Sequence, residues 1–278
     1  MASSPPDLAP IRRRRDPVAR VPWPVAALAA VAALLFALPL LGLLQRAAWS
    51  DLWDDLTTPA ARDALRLSLE CSLWSTALSV VLGVPLAWVL ARGQFPGRSL
   101  LRALVLLPMV LPPVVGGVAL LYAFGRSNGL VGPWLYDTFG LQLTFSKTGV
   151  VLAETFVAMP FLVLTVEGGL RAIDTRYEDA AATLGAGRWT TFRRVTLRFL
   201  APSLAAGAAL AWARALGEFG ATITFAGNVA GRTQTTPLAV YLLLETQPGA
   251  AVALSLVLLA ISVVVLVSLR DRWFGIRR

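Results

Sequence analysis

Residues 174–202 read Asp174-Thr-Arg-Tyr-Glu-Asp-Ala-Ala-Ala-Thr-Leu-Gly-Ala-Gly-Arg-Trp-Thr-Thr-Phe-Arg-Arg-Val-Thr-Leu-Arg-Phe-Leu-Ala-Pro202. The stretch is polar, charged and helix-forming, yet apolar runs long enough to cross a bilayer lie on both sides of it. Exposed charge is costly in hydrocarbon. A charged hairpin slung between two spans is therefore expected outside the lipid-facing wall, as a surface on which something soluble docks.

Working outward, the rest of the chain fixes the class. Of 278 residues, 56% are hydrophobic and 15% charged, where a soluble domain carries about a quarter charged. Mean hydropathy is +0.67. The apolar residues fall in blocks long enough for transmembrane helices, which makes the chain an all-α polytopic membrane protein. Spans are expected at 23–44, 65–90, 100–124, 150–170, 202–225 and 250–269, each able to cover a hydrocarbon core of about 30 Å at 1.5 Å per residue. The first run is longer than a signal peptide's apolar region of about 7–15 residues. It exits into Gln45-Arg46, so it is read as an uncleaved span.

Charge orients the six spans. Lys and Arg against Asp and Glu number five to two in 1–22, three to none in 91–102, six to three in 171–201 and four to one in 270–278. The alternate segments carry two to four in 45–64, two to one in 125–149 and one to one in 226–249. By the positive-inside rule both termini and the 174–202 hairpin are expected in the cytoplasm. The organisation is a disordered basic tail at 1–22, a six-span domain at 23–270 and a short tail at 271–278.

Several function classes drop out. The net charge of +9 is explained by loop basicity and lacks an aromatic-interleaved groove, so nucleic acid is not an expected partner. Cys71 is the single cysteine and histidine is absent, which removes disulfides and the commonest general base and metal ligand. No metal site or catalytic residue is expected. A phosphate loop needs Gly-x-x-x-x-Gly-Lys-Ser/Thr, and the one lysine, Lys147, follows Ser146 where that glycine should stand.

Within the hairpin, Thr175 is placed to cap a helix whose first turn carries Glu178 and Asp179, acids that suit the positive end of the helix dipole. Ala180, Ala181 and Ala182 propagate it, and Gly185 can take the left-handed conformation that ends it. A second, amphipathic helix starts near Arg188, with Trp189, Phe192, Val195 and Phe199 at three- and four-residue spacing. Little side-chain bulk is expected at the tip. Two readings stay open on physics alone: an element that enters a groove on a partner, or a loop whose arginines rest on lipid headgroups.

The order Glu178-Asp179-Ala180-Ala181, then Gly185, then Val195-Thr-Leu197 resembles the EAA loop of ABC importer permeases: Glu-Ala-Ala, three residues, Gly, nine residues, Ile-x-Leu-Pro. Asp179 stands at the Glu position beside Glu178, and Arg198 stands at the Pro position with Pro202 four residues on. Leu107-Pro-Met-Val-Leu-Pro-Pro-Val-Val-Gly-Gly, Ala215-Leu-Gly-Glu-Phe-Gly-Ala-Thr-Ile-Thr-Phe-Ala-Gly-Asn and Arg232-Thr-Gln-Thr-Thr-Pro-Leu-Ala-Val-Tyr are similar to permeases for tetrahedral oxyanions, nearest the molybdate type. The resemblance covers about residues 60–270. It implies the type I importer architecture, with ATPase coupling through Glu178, Asp179, Ala180, Ala181, Gly185, Val195 and Leu197. It also implies a second permease copy in a homodimer, two cytoplasmic ATPase subunits that hold ATP and magnesium, and an extracytoplasmic binding protein that hands over the anion. No cofactor is implied in this chain. Sulfate, thiosulfate or tungstate are alternative cargoes, and an ATP-independent secondary transporter or channel is the alternative class.

Pathway residues can be sought from the chemistry. Pro112 and Pro113 free backbone carbonyls, tolerated in a membrane only against protein or a wet cavity, so a pathway wall or a packing kink belongs there. Arg214 and Glu218 are four apart and share a helix face. They form either a structural ion pair or a gate. Thr222 and Thr224, with Thr233 to Thr236, offer donors to an anion on the outer side. Glu70, Glu154 and Glu167 sit near span ends, where snorkelling or a local partner is expected.

Overall fold

The structure, a computed structural model, describes residues 21–273. The basic tail falls almost wholly outside these residues, as does most of the C-terminal one. The chain divides into two units at Arg46–Ala47. The first contains helix α1, Trp23–Arg46, 24 residues with Pro39 inside it. At 1.5 Å per residue it is about 36 Å long, enough to cross a membrane.

The second unit is built around α3 (Pro59–Arg92), α7 (Lys147–Ala172) and α10 (Leu197–Leu216). Its remaining helices are α2 (Leu52–Thr57), α4 (Arg98–Val110), α5 (Pro113–Phe124), α6 (Gly132–Phe139), α8 (Arg176–Thr183), α9 (Arg188–Thr191), α11 (Gly220–Phe225), α12 (Thr236–Thr246) and α13 (Pro248–Trp273). Helix starts follow local chemistry. Pro59 opens α3 where its missing N–H costs nothing, and the Thr58 hydroxyl accepts from the Ala61 N–H at 3.3 Å. Ser146 caps α7 by accepting from Gly149 N–H at 3.1 Å.

The core where α3, α7 and α10 meet is apolar and small-featured: Ala87, Leu90, Ala158, Leu162, Val166, Leu200 and Ala211 are among its buried residues. Small residues let helix backbones approach where lipid provides no hydrophobic drive. A second feature of α3 is a stripe of Ser68, Ser72, Ser75 and Ser79, all buried, whose spacing of four, three and four residues keeps them on one face. Ser72 Oγ accepts from Trp212 Nε1 at 3.0 Å, Ser68 Oγ accepts from Thr236 N–H at 2.6 Å, and Thr155 Oγ1 lies 3.3 Å from Ser75 Oγ. Polar contacts thus tie α3 to α7, α10 and α12.

The expected spans differ in two places from what is built. The 100–124 span is two helices, α4 and α5, which break at Leu111–Pro112 because the residue before each proline is driven into extended backbone. The 202–225 span is also broken. The long helix begins earlier, with Arg188–Leu216 forming a continuous 29-residue candidate span, and ends at Gly217. Among the described residues five helices are long and apolar enough to cross a membrane, and α4 and α5 end to end make up the remaining expected span. The fold is all-helical among the described residues.

Candidate coupling hairpin and translocation pathway

The hairpin begins with Asp174, whose Oδ1 accepts from Arg176 N–H at 3.0 Å, while Thr175 makes no side-chain cap. One residue's difference has a simple cause: Thr175 already has helical backbone angles, φ −62° and ψ −19°. Helix α8 ends in a Schellman motif, with Ala186 N–H bonded to Ala181 O and Gly185 N–H to Ala182 O, both at 3.0 Å. Gly185 sits at φ +82°, the left-handed geometry this cap requires. The tip is bulkier than expected: Leu184 is 89% exposed and Trp189 71%. Helix α9 then enters a π-helical turn, Phe192–Thr196, which runs into α10.

The two acids of α8 point in different directions. Asp179 is exposed, as are Ala180 and Gly185, while Ala181, Val195 and Leu197 are half-buried. Glu178 is turned inward, its side chain only 22% exposed. Its Oε1 accepts from the buried Thr196 hydroxyl at 2.9 Å and lies 3.5 Å from Arg92 Nη2. Trp88 meets Phe192 edge to face at 5.1 Å, and Tyr177 packs on Phe199 at 4.8 Å. The hairpin is thus seated on the C-terminal end of α3 and the start of α10.

Beside this seat lies a cluster that the sequence reading did not find. Glu167, with 6% side-chain exposure, pairs with Arg102 of α4 and, at 2.7 Å, with Arg171. Arg98 Nη2 donates to Ala91 O and Arg102 Nη2 to Leu90 O, each at 3.5 Å. These arginines occupy carbonyls left free at the end of α3, where cations are favoured by the helix dipole. The i, i+4 spacing of Glu167 and Arg171 was the available signal. Glu167 thus has a local partner, as does Glu70, which pairs with Arg66 and Lys147, but Glu154 does not snorkel. It is 1% exposed inside α7.

The proline break and the second break come together. Gly117 of α5 packs so tightly on α11 that a β-carbon there would lie 2.9 Å from Ala221 O and 2.7 Å from Thr224 Cβ. Gly220 packs likewise on Pro113, with 2.8 Å to its Cβ. Glu218 organises the second break: its Oε1 accepts from Ala221 N–H at 2.9 Å, and its Oε2 lies 2.5 Å from Arg214 Nη2. Glu218 is 1% exposed. Glu218 therefore caps the half-helix α11 while holding Arg214.

The remaining pathway candidates divide by exposure. Pro112 and Pro113 are exposed. Thr222 is fully buried, and Thr224 is half-buried with its hydroxyl donating to Gly220 O at 2.7 Å. The later threonines serve the fold: Thr233 Oγ1 accepts from Val229 N–H at 2.9 Å, and Thr236 Oγ1 donates to Ala64 O at 3.1 Å. At the end of α5 away from the hairpin a cavity of about 430 Å³ is lined by Tyr122, Arg126, Asn128, Gln142 and Thr144, among others. The Arg126 guanidinium lies 3.7 Å from the centre of the Tyr136 ring.

Residues 80–275 match the family of binding-protein-dependent transport system inner membrane components. The chain belongs to this family. The permease is 52% identical over 184 residues to the molybdenum transport system permease protein ModB of Mycobacterium tuberculosis, covering 66% of this chain and 69% of that one. It is 44% identical over 183 residues to the sulfate transport system permease protein CysT of Escherichia coli, covering 66% and 65%. Among solved structures it shares its fold with a bacterial ABC transporter involved in alginate import, at a TM-score of 0.72 and 18% identity over 92% of this chain and 96% of the other. The all-α fold of ABC importer permeases and the transporter, rather than enzymatic, character of the chain therefore stand.

Proposed function

We propose that this permease carries a tetrahedral oxyanion, molybdate first, across the bacterial inner membrane in an ATP-driven importer. The observation that carries the coupling part is the seated hairpin: a Schellman-capped helix that turns Asp179, Leu184 and Gly185 outward while Glu178 holds it to α3 and α10. An outward surface fixed at its base can transmit a push. The 52% identity to a molybdenum permease supports the cargo.

In this reading Asp179, Ala180, Ala181, Gly185, Val195 and Leu197 form or shape the face that an ATPase subunit holds, with Glu178 at its base. ATP and magnesium reside in that subunit. A second copy of the permease completes a symmetric pathway, an extracytoplasmic protein delivers the anion, and the hairpin and both termini face the cytoplasm. The paired breaks, with Pro112, Pro113, Arg214, Glu218, Thr222 and Thr224 around them, form the movable part of the pathway wall. ATP drives the cycle only if the nucleotide-bound partner prefers one of the permease's conformations over the other.

Sulfate is the second cargo reading, favoured by the 44% identity to a sulfate permease. Uptake of labelled molybdate into vesicles holding the full complex, challenged with unlabelled sulfate or molybdate, separates the two. Molybdate alone competing at equimolar concentration supports the first reading; equal competition by sulfate overturns it.

A further inference from the structure

We infer that Glu178 is the internal latch of the hairpin: a positioning residue that fixes α8 to the membrane helices and does not itself contact the ATPase. This rests on the proposed docking of an ATPase on the hairpin and assigns adjacent acids opposite duties. Residues adjacent on a helix are rotated by about 100°, so Glu178 and Asp179 cannot both face the partner squarely.

Three structural facts place Glu178 on the inner side. Its carboxylate accepts a hydrogen bond from Thr196, which is 0% exposed and lies in the π-helical turn at the root of α10. The same oxygen lies 3.5 Å from Arg92, at the last position of α3. Asp179, by contrast, makes no ion pair or side-chain hydrogen bond among the described residues and is exposed. One carboxylate oxygen thus joins the coupling helix, the end of α3 and the start of α10.

The latch leads toward the pathway. The end of α3 that Arg92 closes is also held by Arg98 and Arg102 from the first turns of α4, and Arg102 continues to Glu167 on α7. Helix α4 leads to the joint at Leu111–Pro112, beyond which α5 crosses α11. A π turn is a frequent companion of functional sites, and here it sets Thr196 facing Glu178. Displacement of α8 is thereby delivered to both broken spans. Without the latch the hairpin would tilt on Gly185 and Gly187 while its base stayed still.

The test uses the full complex of permease, ATPase subunits and binding protein in vesicles, with uptake per ATP hydrolysed as the readout. Glu178→Ala and Arg92→Ala are expected to retain the ATPase through purification and to lower uptake per ATP by about threefold or more, the scale of mutations along a coupling route. The charge-swapped double variant Glu178→Arg with Arg92→Glu should recover at least half of the loss, which a packing defect would not do. Asp179→Lys should instead release the ATPase. Should Glu178→Ala fail to accumulate, Glu178→Gln and Thr196→Val take its place, each deleting one arm of the latch. Release of the ATPase by Glu178→Ala, or an unchanged uptake per ATP, overturns the latch. Failure of the unaltered permease to retain any ATPase overturns the functional reading itself.

Discussion

Gly117 of α5 and Ala221 of α11 touch backbone to backbone: a β-carbon on the glycine would come within 2.9 Å of the Ala221 carbonyl oxygen. Each belongs to the second half of a broken span. Their contact makes the two breaks one mechanical unit, with Pro113 against Gly220 as its other touching point.

Gly117→Ala should therefore force α5 and α11 apart. Overpacking of this kind costs about 1–3 kcal/mol, so the thermal midpoint in detergent should fall. Because the contact lies at both breaks, uptake should fall further than stability predicts. Full transport at an unchanged midpoint would show that the crossing is loose.

Glu218 holds both Ala221 N–H and Arg214. Glu218→Ala leaves Arg214 without its partner; removing one member of a buried pair costs about 3–5 kcal/mol, with the lower end expected since the Arg214 side chain keeps 28% exposure. Glu218→Gln retains an oxygen for Ala221 N–H and should lose less. Thermal midpoints should rank the unaltered chain above Glu218→Gln above Glu218→Ala. An equal loss in both variants would make charge the whole effect and the cap none of it.

The Gly185 geometry gives a graded series. At φ +82°, alanine costs about 1–2 kcal/mol and asparagine less, because only glycine and short polar residues visit this region readily. Retention of the ATPase through purification should decline from Gly185 to Asn to Ala to Val. Equal retention across the series would remove the cap from the docking surface.

The α3 serines are predicted to be unequal. Ser72 accepts from the part-buried Trp212 Nε1 at 3.0 Å, and Ser72→Ala leaves that donor without its partner at about 1 kcal/mol. Ser79 Oγ is buried and has no hydrogen-bond partner among the described residues, so Ser79→Ala should be neutral or stabilising. Unfolding midpoints of the two variants check this directly, and the reverse order would contradict it.

Much of the fold was legible because its signals are local. Apolar runs marked the long helices, Pro112–Pro113 marked one break and Gly185 marked the hairpin corner. The second break was hidden because no proline makes it; Gly217 yields, and Glu218, four residues from Arg214, rebuilds the helix start with its side chain. Helix α12 was hidden by its 11-residue length and by a threonine-rich entry that reads as loop. The motif located the hairpin, but two adjacent acids are indistinguishable until Thr196 and Arg92 show which one is held. Glu154 was misplaced for a related reason: distance from a span's end does not reveal which face of α7 is buried.

In the proposed function this permease moves its anion only when an ATP-hydrolysing partner pushes on the 174–202 hairpin. The direct measurement is uptake of labelled molybdate into proteoliposomes holding the permease alone, or the permease with its ATPase subunits and binding protein, each with and without ATP. Uptake confined to the complete complex with ATP is the predicted result. Uptake by the permease alone, unaffected by ATP, would contradict it.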